Sequence, residues 1–213
     1  MVMICALALG ALAPAPDAKA DLQAIFDRYK ALKSYTATIE CQDASGLFPG
    51  HYVLSLKWSA GQKFELTVVE PMKPEPIAPG TPVPNFSCDG KNVTRKRADG
   101  TVTTDALNTD PNRAPGYEVA GGMVMTALLD SPNAKTYFSP PEGMKTEFTY
   151  GKTAEWKGAK VKEIVIAYEV GLTKGEYAVF LTEDGKWFVG MQYALNGKTG
   201  MVHYKDAKYE EKG

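Results

Sequence analysis

The chain has 213 residues, 44% of them hydrophobic and 23% charged, with a formal net charge of −1. That composition suits one globular domain with a sizeable core. A charge so near zero provides no long-range field for nucleic acid or an anionic membrane, so no nucleic-acid partner is expected.

The chain opens on a continuous apolar run, Val2 to Ala13, followed by Pro14, Pro16 and the triplet Ala18-Lys19-Ala20. The run is too short to span a membrane. With its A-x-A-like end it reads as a secretory signal over residues 1–20, although no Lys or Arg precedes it. Lipidation at Cys5 is not expected, because the apolar run follows that cysteine. The folded part is therefore expected to be a single domain over residues 21–213, periplasmic or secreted.

From Asp21 the period is helical: Leu22, Ile25, Phe26, Tyr29 and Leu32 form one stripe. Asp21 is expected to cap it. After Ser34 the period changes to two, with Tyr35, Ala37, Ile39 and Cys41 on one face of a strand. A turn-rich loop, Asp43 to Gly50, leads to a second strand with Tyr52, Leu54, Leu56 and Trp58 together. Ala60-Gly61-Gln62 is a hairpin signal. Phe64, Leu66 and Val68 then alternate with Lys63, Glu65 and Thr67, as in an antiparallel sheet with one wet face.

Six of the fourteen residues from Pro71 to Pro84 are proline. No strand interior or helix tolerates this, so the segment is expected to be an extended surface loop. It is either a lid or partner-binding segment or a plain connection. Two short strands follow, with turns at Asp89-Gly90 and Asp99-Gly100. Lys91 to Arg97 carries four basic residues and reads as a solvated edge strand. Glu118 to Leu129 returns to a helical period, is Met-rich at Met123 and Met125, is weakened by Gly121-Gly122 and is ended by Ser131-Pro132.

From Thr146 onward the chain is a run of strands. Ile164, Ile166, Tyr168 and Val170 share a face, as do Tyr177, Val179 and Leu181, then Trp187, Val189, Met191 and Tyr193, then Val202 and Tyr204. Turns are expected at Lys157-Gly158, Gly171 to Gly175, Glu183 to Lys186 and Asn196-Gly197. The charged tail from Lys208 is expected to fray. Cys41 and Cys88 either form a disulfide or are two small buried hydrophobes.

About ten strands and two helices, with no βαβ alternation, define an α+β, mostly β fold. The strongly curved antiparallel sheet is covered on its concave face by the N-terminal helix and the second helix. Chemistry is sparse. His51 and His203 are the two histidines. No metal-ligand spacing, phosphate cradle or nucleophile elbow is present, so no catalytic residue, metal or cofactor is expected and the protein is read as a non-enzyme. Apolar surface in excess of what two short helices cover suits a lipid or acyl chain. The expected lining is Leu54, Leu56, Trp58, Phe64, Leu66, Val68, Ile164, Ile166, Tyr177, Val179, Trp187, Val189 and Met191.

Several stretches, in order, resemble the LolA/LolB-like periplasmic lipoprotein carriers: Leu22…Tyr29…Leu32-Lys33-Ser34-Tyr35, then Leu54 to Glu65, then Phe86-Ser-Cys-Asp-Gly-Lys-Asn-Val93, then Leu181 to Tyr193. The resemblance implies an unclosed, apolar-lined half-barrel, lidded by helices, that shields acyl chains of a lipid or lipoprotein. It implies work in the periplasm, and a monomer is expected. The same fold can instead serve an envelope sensing or regulatory protein that binds a protein partner. The family commonly places an Arg after the Gly-Lys-Phe of the second hairpin. Here Glu65 follows Lys63-Phe64, so no single residue is carried over.

Overall fold

In a computed structural model of the chain, residues 17–43, 50–71, 85–97, 99–107, 116–195 and 197–212 are described. The Pro-rich segment from 72 to 84 and the apolar run lie outside them.

The first half of the sheet runs outward from β1 (Leu32–Asp43) through β2 (Gly50–Ser59), β3 (Lys63–Pro71), β4 (Asn85–Asp89) and β5 (Asn92–Lys96) to β6 (Val102–Ala106). The chain then crosses by two helices, α2 (Gly116–Leu128) and α3 (Pro132–Phe138). The second half comprises β7 (Met144–Tyr150), β8 (Glu155–Trp156), β9 (Ala159–Val170), β10 (Thr173–Thr182), β11 (Phe188–Leu195) and β12 (Lys198–Glu211). Helix α1 (Ala18–Lys30) precedes it all. The strand order is β6-β5-β4-β3-β2-β1-β12-β11-β10-β9-β7, with β8 also on β9. All pairs are antiparallel. The last strand returns to the first, which joins the two meanders. Strands β6 and β7 are each paired on one side only, so the sheet is not closed.

The period-two reading sets this register. Ala37 stands opposite Leu56, Leu56 opposite Leu66, and Leu66 opposite Phe86. Tyr35, Trp58, Phe64 and Cys88 form the next row. A one-residue slip would turn all of these side chains into water. At Gly61 and Gln62 both φ angles are positive, as the mirror-image hairpin turn demands.

Several expectations are corrected. The described residues form three helices and twelve strands: α2 stops at Leu128, ahead of Ser131-Pro132 as expected, but Pro132 also starts α3, where its missing N–H costs nothing. The cap of α1 is Asp17, not Asp21: its carboxylate accepts from the N–H groups of Lys19 and Ala20. Asp21 lies in the first turn and accepts from the Tyr150 hydroxyl at 2.8 Å. Strand β5 is flanked on both sides and β6 is the edge. The tail does not fray: β12 pairs with β1 as far as Leu32 and Glu211, and Tyr209 stacks on Trp187 at 3.8 Å. Cys41 and Cys88 are both buried and form no disulfide. With β2 and β3 between their strands, their backbones are about 14 Å apart at the usual strand spacing, twice the reach of a disulfide.

One main core lies between the sheet and the helices. Leu22, Ile25, Phe26 and Tyr29 of α1 are buried in it, as their spacing predicts. Phe26 meets Phe138 and Phe188 edge-on, and the Tyr29 hydroxyl accepts from the Phe188 N–H. A second, smaller cluster of Trp156, Val161 and Phe180 lies on the opposite face, with Trp156 stacked on Phe180 at 4.6 Å.

Candidate functional site

The covered face of the sheet is where an apolar ligand would lie. Of the expected lining, Leu54, Leu56, Trp58, Phe64, Leu66, Ile164, Ile166, Val179 and Met191 are buried in the main core. Val68, Tyr177 and Trp187 are partly buried against it. Val189 is set apart. It is the extra residue between the pairs Phe180–Gly190 and Leu181–Phe188, and it packs with the second cluster on the opposite face. The bulge inverts the alternation counted back from Met191, so Phe188 takes the inward place. A bulge leaves no plain mark in an alternating run of Phe, Val and Gly.

The cover is α2, and its chemistry is unusual for a helix. Tyr117, Ala120, Met123, Val124, Met125, Ala127, Leu128 and Leu129 are all buried, so it is apolar nearly all round. It is also two pieces. Gly122 has φ 60° and ψ −148°, a combination for glycine alone, and divides 116–121 from 123–128. A Cβ there would lie 2.6 Å from the Tyr204 hydroxyl and 3.1 Å from the Met191 sulfur. The Tyr204 hydroxyl occupies the break: it donates to the Gly121 carbonyl at 3.0 Å and accepts from the Val124 N–H at 3.3 Å. Burial holds its pKa well above the ordinary phenol value. The glycine pair was visible in the sequence. That the two glycines flank a break filled by a phenol some eighty residues later was not.

The far end of the second piece is also fixed. The Gln62 amide donates to the Leu129 carbonyl at 3.0 Å, and the Lys30 ammonium meets the Asp130 carboxylate at 2.9 Å. The first piece lays the Tyr117 ring against Phe64 at 5.2 Å and Phe86 at 5.9 Å. Glu118, beside it, is only 3% exposed.

A group of tyrosines gathers where β9, β10 and β11 meet α3. Tyr168 stacks on Tyr177 at 5.3 Å, and Tyr137 meets Tyr177 edge-on at 5.7 Å. Burial, aided by the Glu118 charge, pushes the Tyr137 phenol up to about 12, against the pull of its bond with Tyr177. None of these phenols ionises at neutral pH, so they act as hydrogen-bonding apolar wall rather than as acids or bases.

Two open grooves lie on the opposite face. One, of about 500 Å³, is lined by Gln42, Glu176, Ala178, Gln192 and Met201. The other, of about 700 Å³, is lined by Lys145, Glu147, Ala167, Glu169 and Lys174. None of the thirteen expected residues lines either one. Nearby, Glu40 holds His203 at 3.2 Å and also binds Lys205. Among the described residues no group of three or more His, Cys, Asp or Glu can hold a metal ion. No helix among them is long and apolar enough to cross a membrane.

No known family model and no curated protein sequence matches the chain. Among the solved structures of similar fold are the following three. Lipoprotein LppX from Mycobacterium tuberculosis is 12% identical with a TM-score of 0.49, covering 92% of this chain and 96% of that one. LprF from Mycobacterium bovis is 12% identical with a TM-score of 0.47, covering 91% and 94%. A LolA superfamily protein from Nitrosomonas europaea is 9% identical with a TM-score of 0.43, covering 93% and 96%.

Proposed function

We propose that this chain is an exported carrier that shelters an acyl chain of a lipid or lipoprotein between the sheet and α2. Residues 1–20 direct its export, residues 21–213 form the carrier domain, and it works as a monomer in the periplasm or outside the cell. It binds and does no covalent chemistry. The twelve inward candidates supply burial, and Val189 belongs to the opposite face.

The observation that carries this reading is the cover. An unclosed sheet with an apolar face is covered by a helix that is Met-rich, apolar nearly all round and broken at Gly122. A rigid core has no use for such a break, whereas a cover that must move does. Methionine suits both states, because its flexible thioether packs against irregular partners. In the structure the lining is packed shut, so binding requires the cover to move. The ligand can drive this: at about 0.8 kcal/mol per buried methylene, a sixteen-carbon chain offers on the order of 10 kcal/mol.

Native mass spectrometry of protein purified from an exporting host, followed by solvent extraction, tests the reading. A co-purifying lipid or acylated peptide is expected. A clean apo mass, together with no uptake of a fluorescent fatty acid, overturns it and favours the partner-binding alternative. The same spectrum gives the mature N-terminus. Cleavage after Ala20 would remove the cap Asp17 and the buried Ala18, leaving Asp21 to face the helix dipole.

A further inference from the structure

We propose that the rim of the covered face is a headgroup site, where the Arg95 guanidinium binds the carboxylate or phosphate of an acyl lipid whose chain runs inward from it. This rests on the carrier reading and names the ligand class and which way round the ligand lies.

The sheet register draws the track. One row of side chains on the covered face crosses the first meander: Ala37, Leu56, Leu66 and Phe86, on β1 to β4, each opposite the next. All of them are buried. The next member of the row, opposite Phe86 on β5, is Arg95, and Thr103 ends it on the edge strand β6. An apolar track that ends in a cation and a hydroxyl has the polarity of an ionised fatty acid. It has a fitting length as well. One acyl chain fills about half of the ~30 Å hydrocarbon core of a bilayer, or about 15 Å. Three strand intervals of ~4.8 Å come to about 14 Å. A headgroup at Arg95 thus places the methyl end over Leu56.

Arg95 is not placed as a surface charge. A charge that deters edge pairing belongs in water, which describes the exposed Lys96. Arg95 shares the inward face with the buried Val93 and is half-buried, its guanidinium over the Phe86 ring at 5.2 Å from the centroid. Its Nε–H is shut off from solvent and has no acceptor. Among the described residues no ion pair includes it. Asp105, in the neighbouring row of the same face, stands opposite Val93 and is exposed. A buried donor without an acceptor is unfavourable, and so is an unpaired charge beside an apolar face. A carboxylate or phosphate relieves both, taking Nε–H and an Nη–H together as a two-pronged bond. The Tyr117 ring of α2 meets Phe86 edge-on at 5.9 Å, so Arg95 lies at the margin of the cover and is reached as the cover moves.

This polarity selects among acyl ligands. A fatty acid or a phospholipid carries an anion close to its chain. A chain joined to a peptide by an ester or amide does not, so an acylated peptide is the poorer ligand for this end of the site.

Tritium-labelled palmitate and its methyl ester, titrated against the full-length protein at about pH 8, where the acid is ionised, test this. The acid is expected to bind about tenfold more tightly than the ester, the size of one charge-assisted bond. Arg95→Gln is expected to bring the acid to the affinity of the ester and to leave the ester unchanged. Equal binding of acid and ester by the unaltered protein overturns the headgroup site whether or not the variant folds. A preference for the acid that survives in folded Arg95→Gln also overturns it. In both cases the chain still binds, so the carrier reading stands. Binding of neither probe removes the carrier reading and this site with it.

Discussion

His203 and Glu40 face each other across β12 and β1, and each is held below its ordinary pKa. For His203, burial against Trp156 is the larger cause, and the Glu40 carboxylate pulls the other way. For Glu40, the bond from Lys205 is the larger cause, against some loss of solvation. Both folded-state groups therefore bind fewer protons than the unfolded chain does. The stability they support is complete above the ordinary values and lost as pH falls through the lowered ones. The expected Tm is flat above about pH 7, declines as pH drops below the ordinary histidine value of 6.5, and declines again below the ordinary glutamate value of 4.5. His203→Gln should remove the first decline and leave the second. A thermal-unfolding series from pH 4 to 8 checks this. An identical upper profile in the variant would mean that another group titrates there. The register places Glu40 beside His203, because β12 lies beside β1.

The helices were legible in unequal degree. Helix α1 carries its stripe in the sequence, and every residue of that stripe is buried. Only the cap moved, by four residues, because Asp17 and Asp21 both suit an N-terminus and local chemistry does not choose between them. For α2, Gly121-Gly122 reads as a weak helix former, whereas it is the joint between two pieces. Gly122→Ala puts a Cβ into a glycine-only conformation and against the Tyr204 hydroxyl. The expected cost is about 1–3 kcal/mol from the backbone alone, read as a lower urea midpoint with unchanged slope. If Ala is tolerated at full stability, the break is not fixed and the moving-cover reading loses its support. Strand β12 illustrates the opposite error. Its last residues read as a fraying tail by charge, yet β1 needs a partner along its whole length and they provide it.

At the scale of the whole molecule, β6 and β7 are the edges of the sheet among the described residues, and α2 and α3 lie between them in the chain. The cover is therefore part of the connectivity rather than an appendage, and moving one piece of it need not unpair any strand. The Pro-rich connection between β3 and β4 lies outside the described residues. Deleting Pro74 to Pro82 is expected to leave fluorescent fatty acid uptake within about twofold of the intact protein. Loss of uptake would make that segment part of the lid, and loss of an envelope partner alone would point to the sensing alternative.

Alternation by itself determined the inward faces of β1 to β5 and most of β9 to β12, since a half-buried strand must repeat every two residues. Glycine-containing pairs determined the turns, since positive φ costs little only there. What the tertiary structure alone decided are the long-range choices: that β12 returns to β1, that Cys41 and Cys88 stand three strands apart, that a bulge sends Val189 to the other face, and that Tyr204 fills the break at Gly122. The physical reason is common to all four. Each depends on which distant segment supplies a partner, and the energy of such a contact is not written in the local pattern of either segment.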